Sequence, residues 1–169
     1  MTKRILVAYA TKSGSTREVA ETVAATLGAD GADVDCIPAR AVETVDPYDS
    51  VVLGGGLYTG RLHKEAQRFL HDHRAELARL PFAVFAMGPD ELTEEKVAQS
   101  RRQLDHALAK VPEVRPVAIT IFGGVVNPEK LRFPFNRMPA CDARDWHAID
   151  AWAEEVAGAF AGTPTAARG

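Results

Sequence analysis

Four short runs in this chain, residues 5–9, 51–53, 82–87 and 117–122, are apolar at nearly every position. A strand with one wet face alternates polar and apolar residues, whereas a strand apolar throughout is covered on both faces, as in parallel sheets. Parallel neighbours need crossover connections, and stretches with helical spacing lie between the runs. Val19, Val23, Ala24 and Leu27 make one stripe, and Ala66, Phe69, Leu70, His73 and Leu77 a second. Trp146, Ile149, Trp152, Ala153, Val156 and Phe160 make a third. Thr93 before Glu94 and Glu95 reads as an N-cap with acids in the first turn, opening a helix to about Leu108. A weaker strand over residues 33–38 completes an alternation of five strands and crossover segments. Right-handed crossovers on both faces predict a three-layer α/β sandwich, doubly wound around a five-stranded parallel sheet in the order 2-1-3-4-5.

With 169 residues, 46% of them apolar, the chain suits one domain, expected over residues 1–161, with the breaker-rich residues 162–169 as a disordered tail. A net charge of -3 exerts no global pull on nucleic acid, so no nucleic-acid partner is expected and any electrostatic partner must be read from local patches. Cys36 and Cys141 fit neither a C-x-x-C pair nor a zinc ligand set and read as free thiols in a reducing compartment. The first apolar run meets Thr11-Lys-Ser13 too soon for a signal segment. Nothing approaches the ~18 apolar residues that cross a bilayer, so a cytoplasmic protein without a metal site is the expectation.

After the first strand the chain leaves through Thr11, Lys12, Ser13, Gly14, Ser15 and Thr16, then turns helical at once. Open parallel sheets bind ligands beyond the carboxyl ends of their strands, where the winding reverses. A hydroxyl-rich loop there, feeding a helix N-terminus with free N–H groups, is placed to hold a phosphate. A capping box of Ser15 and Glu18 is the competing reading, although it leaves Thr11, Ser13 and Thr16 unexplained. Neither G-x-x-x-x-G-K-[ST] nor G-x-G-x-x-G occurs in this loop.

The run Tyr9-Ala-Thr-Lys-Ser-Gly-Ser-Thr16, followed by Ala20 and Val23, resembles the signature of the flavodoxin-like FMN-binding family, over roughly residues 3–160. The resemblance implies FMN as a non-covalent cofactor on a flavodoxin-like fold. It also implies that Gly54-Gly-Gly-Leu-Tyr-Thr-Gly60 covers one face of the ring, with contacts from Gly56, Leu57, Tyr58, Thr59 and Gly60. Tyr58 is the expected stacking aromatic and Leu57 its competitor; packing of a helix against the strand end also explains the glycines. Met87-Gly88-Pro89 is expected on the other side of the ring and Gly123-Gly124 next to the same cleft or somewhat beyond it, with Asp90 and Glu91 as tuning acids or, more simply, caps.

Within the family the chain resembles the branch of menaquinone-dependent protoporphyrinogen oxidases and their relatives. The shared features are residues 6–11, Tyr58-Thr-Gly60 with His63 beyond, Gly123-Gly124 before a basic aromatic insertion, and Asp142-Ala-Arg-Asp-Trp146. The insertion, residues 127–139, is shorter here than in that branch. Its stretch Lys130-Leu-Arg-Phe-Pro-Phe-Asn-Arg-Met138 suits peripheral membrane contact or docking of a redox partner, a quinone or a small hydrophobic substrate, or else folds back as core cover. His63 reads as a proton-transfer group or a helix cap, and Trp146 and Trp152 as core. The resulting expectation is an FMN-dependent oxidoreductase or electron-transfer flavoprotein needing no side-chain nucleophile. An NAD(P)H:quinone reductase of the same fold and a non-catalytic binding module are the alternatives.

Overall fold

The computed structural model describes residues 2–12, 14–126, 133, 137 and 140–162. Its main sheet is built from β1 (Arg4–Ala10), β2 (Asp33–Pro38), β3 (Ser50–Tyr58), β5 (Phe82–Met87) and β6 (Ala118–Phe122). These run parallel in the order β2-β1-β3-β5-β6, which is the predicted doubly wound arrangement. A two-residue strand, β4 (Arg61–Leu62), hooks back antiparallel onto the end of β3.

Each strand feeds both faces of the sheet in turn. Leu6, Ala8 and Ala10 of β1 and Phe82, Val84 and Ala86 of β5 join one buried cluster, beneath α2 (Lys64–Asp72), α3 (Arg74–Leu77) and α4 (Glu94–Leu108). Ile5, Val7, Tyr9, Ala83, Phe85 and Met87 join the other, beneath α1 (Ser15–Gly28) and α5 (Trp146–Gly162). The double coverage is the reason the sequence shows apolar runs instead of alternation.

Helix α4 starts where expected, the Thr93 hydroxyl accepting the Lys96 N–H at 3.3 Å. Three elements depart from expectation. β3 continues five residues past Leu53, because Gly54 and Gly55 make room for the Phe85 ring and the Leu62 side chain instead of ending the strand. The predicted stripe of residues 66–77 is two helices, broken at His73, whose φ of -109° and ψ of 13° leave the helical region. Trp152 is core, edge-on to Phe85 and Phe122 at 5.8 and 5.7 Å, whereas Trp146 is 40% exposed. Of the expected tail, residues 162–169, Gly162 instead ends α5, and residues 163–169 lie outside the described residues. Among the described residues no helix is long and apolar enough to cross a membrane.

Candidate cofactor site

The winding of the sheet reverses between β1 and β3, so the loops leaving these two strands face each other at the carboxyl edge. Ser15 and Thr16, from the start of α1, meet Gly56, Leu57 and Tyr58, from the end of β3, around one small cavity. Met87 and Gly88 close it from the β5 side and Gly124 from beyond β6. Three further lining residues complete it, Asp90, Val125 and Val126. The two valines form β7 (Val125–Val126), which pairs with β8 (Cys141–Asp142) in a short ribbon. A two-residue β-branched run after Gly-Gly is the only sequence signal for that ribbon.

The helix start is left open to a ligand. Gly14 is the N-cap with φ 88°, a left-handed conformation that glycine adopts without strain, and no side chain caps the turn. Ser15 is therefore the first helical residue, so the capping box with Glu18, the competing reading, does not form. Among the described residues the N–H groups of Ser15 and Thr16 have no acceptor. The Thr16 hydroxyl is fully buried and has no hydrogen-bond partner. An orphaned buried hydroxyl beside free helix N–H groups is a costly arrangement in the absence of an acceptor, and a phosphate supplies one.

The remaining loop residues play other parts. Thr11 Oγ1 accepts the Gly14 N–H at 3.0 Å and so shapes the loop. The Lys12 N–H donates to Tyr58 Oη at 3.1 Å, and the Lys12 ammonium sits 4.9 Å from the centre of the Tyr58 ring. Ser13 lies outside the described residues. Thr59 (φ 49°) and Gly60 (φ 79°) form the two-residue turn between Tyr58 and Arg61, and neither lines the cavity. Pro89 O accepts the Gly124 N–H at 2.8 Å, tying the β5 and β6 ends together. At Gly123 a side chain would collide with the Ala143 backbone, so this position admits the chain returning from the ribbon.

His63 caps α2, its Nδ1 accepting the Glu65 N–H at 3.1 Å, which leaves the proton of the neutral ring on Nε2. Burial lowers its pKa below 6.5. Its ring stands edge-on to Tyr58, 5.7 Å between centroids. Lys96 hydrogen-bonds Asp90 at 2.7 Å and lowers that carboxyl's pKa below 3.8. Sequence reasoning missed Arg144, whose guanidinium makes paired bonds to Asp142 at 2.9 and 2.7 Å and a third to Glu18 at 2.5 Å. The Asp142 bonds come first among the causes that raise its pKa. Arg144 thereby clamps the ribbon onto the first turn of α1, while Trp146 packs on its other face at 4.8 Å. Of the 130–138 stretch, only Phe133, 70% exposed, and Arg137, 5.1 Å from its ring, are described.

A doubly wound parallel sheet with open donors where its winding reverses defines a domain built for a phosphate-bearing cofactor. Residues 6–138 match the family described as Flavodoxin domain. A curated relative, protoporphyrinogen IX dehydrogenase [quinone] of Escherichia coli K12, is 24% identical over 137 residues, covering 77% of this chain and 73% of that protein. Among solved structures, oxidised Flavodoxin 2 from Bacillus cereus matches with a TM-score of 0.58 at 21% identity, over 93% of this chain and 99% of that one. Rubredoxin oxygen:oxidoreductase from Desulfovibrio gigas matches with a TM-score of 0.63 at 14% identity, over 95% of this chain and 36% of that one. The chain belongs to the flavodoxin domain family, and FMN is the cofactor that this membership indicates.

The phosphate end of the site fits FMN through Ser15, Thr16 and Gly14. The cavity these residues share with the ring-side residues is narrow, about 60 Å³. Tyr58 causes the narrowing, since its ring lies directly on Gly56, within 2.6 Å of where a side chain would begin. For a tricyclic ring to enter this slot, Tyr58 would have to leave Gly56 and the Lys12 N–H.

Proposed function

We propose that this chain is an FMN-dependent oxidoreductase that delivers electrons to a quinone. The observation that carries the reading is the buried, partnerless Thr16 hydroxyl at an uncapped helix start beside a cavity. In this reading Thr16 Oγ1 and the N–H groups of Ser15 and Thr16 hold the phosphate, with Thr11 keeping the loop in shape and Lys12 adding positive charge. Tyr58 and Leu57 flank one side of the ring; Met87, Gly88 and Gly124 flank the other. Bound FMN supplies the redox chemistry, and the protein supplies position, dryness and charge around it. The neutral His63, proton on Nε2, stands beside Tyr58 as a hydrogen-bond donor and not as a cation.

The quinone acceptor is supported by the printed name of the Escherichia coli relative, and protoporphyrinogen IX is the electron donor to try first. Exposed Phe133 beside Arg137 supports contact with the membrane surface where quinones reside. Two free cysteines agree with a reducing, cytoplasmic setting. The test is a titration of purified protein with FMN followed by anaerobic reduction and addition of menadione. Saturable binding at one FMN per chain and reoxidation faster than in buffer alone are expected. Absence of binding refutes the reading; reduction by NADPH with no second protein present would replace it by the NAD(P)H:quinone reductase alternative.

A further inference from the structure

On the face opposite α1 and α5, helices α2 and α4 leave a groove between them that holds two adjoining cavities. The larger, about 580 Å³, lies among Arg68, His71, Arg74 and Lys110, over a floor of Leu70 and Val111. The smaller, about 150 Å³, shares Gln67, Ala107 and Lys110 with it and is bounded by Arg61, Gln103 and His106. Gln67 and His71 share one face of α2, and Arg74, the first residue of α3, lines the larger cavity beyond them. Gln103 and His106 line the smaller cavity from α4, and Lys110, two residues past the end of that helix, lines both cavities.

Four full cations line this groove, Arg61, Arg68, Arg74 and Lys110, against one carboxylate, Asp72, in a chain whose net charge is -3. Among the described residues none of the four is engaged in a salt bridge. Arg74 hydrogen-bonds only within α2–α3, to His71, and Lys110 only to Gln67 at 3.3 Å. All four are exposed, so no buried charge makes a closed pocket for a small anion. They spread instead over the two adjoining cavities, Arg61 lining the smaller, Arg68 and Arg74 the larger, and Lys110 both.

The groove also abuts the cofactor site. Tyr58, which lines the slot, and Arg61, which lines the groove, are cross-strand partners in the β3–β4 hairpin. A partner seated in the groove is therefore one hairpin away from the slot. We propose that this basic groove docks the acidic face of an electron-transfer protein, which exchanges electrons with the site across the hairpin. The proposal rests on the FMN-dependent electron-transferring reading above and adds to it a protein that supplies electrons to the site. Exposed, unpaired cations steer such a partner by long-range attraction that weakens with salt.

The test compares the native chain with Arg68→Glu/Lys110→Glu, using Arg79→Glu/Arg115→Glu, outside both cavities, as a charge control. Two measurements are made: binding of labelled poly-L-glutamate, and the rate at which a reduced ferredoxin of net negative charge reduces the FMN-loaded protein as ionic strength rises. Poly-L-glutamate binding should weaken at least tenfold in the groove variant and far less in the control. The reduction rate should fall with salt in the native chain and rise with salt in the groove variant, with FMN affinity equal in all three. Equal poly-L-glutamate binding by native chain and groove variant, or an unchanged salt slope, would overturn the proposal. So would competition by micromolar inorganic phosphate, which would mark a small-anion site. Failure to bind FMN would remove the electron-transfer reading, and poly-L-glutamate binding would then decide by itself whether the groove docks an acidic face.

Discussion

Replacing Thr16 with Val separates a structural from a ligand-binding role, because the two roles predict effects of different sign. Valine keeps the shape of threonine and removes only the hydroxyl. In the protein alone that hydroxyl is buried and unpartnered, and an unsatisfied buried polar group costs about 1–3 kcal/mol. Thr16→Val should therefore raise the melting temperature of the FMN-free protein by about 2–4 °C for each kcal/mol recovered. If the hydroxyl donates to the phosphate of FMN, the same change removes a charge-assisted bond of about 1.5–3 kcal/mol, which is about tenfold to 150-fold in Kd. Ser50 provides the control: it too is buried with an unpartnered hydroxyl, but at the first residue of β3, the opposite edge of the sheet. Ser50→Ala should leave FMN affinity untouched. Calorimetry of the free proteins and fluorescence titration with FMN read both quantities. A destabilised Thr16→Val protein that binds FMN as tightly as the native chain would refute the phosphate assignment.

Two further perturbations probe the frame around the site. Gly54→Ala drives a methyl group into the Phe85 ring, which is confined by Phe122 at 5.5 Å and Trp152 at 5.8 Å. Overpacking of this kind costs about 1–3 kcal/mol, and an unmoved urea midpoint would mean that the ring shifts freely. Tyr48 Oη donates to Asp35 at 2.6 Å, and burial, aided by that bond, pushes its pKa from 10.0 to about 12. The folded chain keeps this proton longer than the unfolded one, so the associated stability is complete below pH 10 and is lost as pH rises to about 12. Tyr48→Phe should flatten that part of the stability–pH curve, and an identical curve for both proteins would contradict the assignment.

What could be read from the sequence was what short-range chemistry encodes. Thr93 announces its helix because a cap needs only its own hydroxyl and an N–H three residues on. Val19, Val23 and Leu27 announce theirs because one buried face repeats with the helical period. The hydroxyl-rich loop before α1 could be singled out as a candidate phosphate site for the same reason, since hydroxyls, a glycine and a helix start are contiguous. Residues 54 and 55 were not legible, because glycines read as punctuation in a linear chain. Their physical reason lies in Phe85 and Leu62, which come from other strands and occupy the space that side chains would take. Arg144 shows the same limit from the opposite direction: it bonds Glu18 across 126 positions, and nothing beside either residue in sequence hints at the pairing. The capping box itself fails locally: with Gly14 at the N-cap, Glu18 stands one position too far along, and the Gly14 N–H already donates to Thr11. What the Arg144 guanidinium does is neutralise the Glu18 carboxylate in the first turn, which would otherwise repel an anion at the helix start. The long-range contact that sequence could not show is thus part of what keeps the locally legible loop available to an anion.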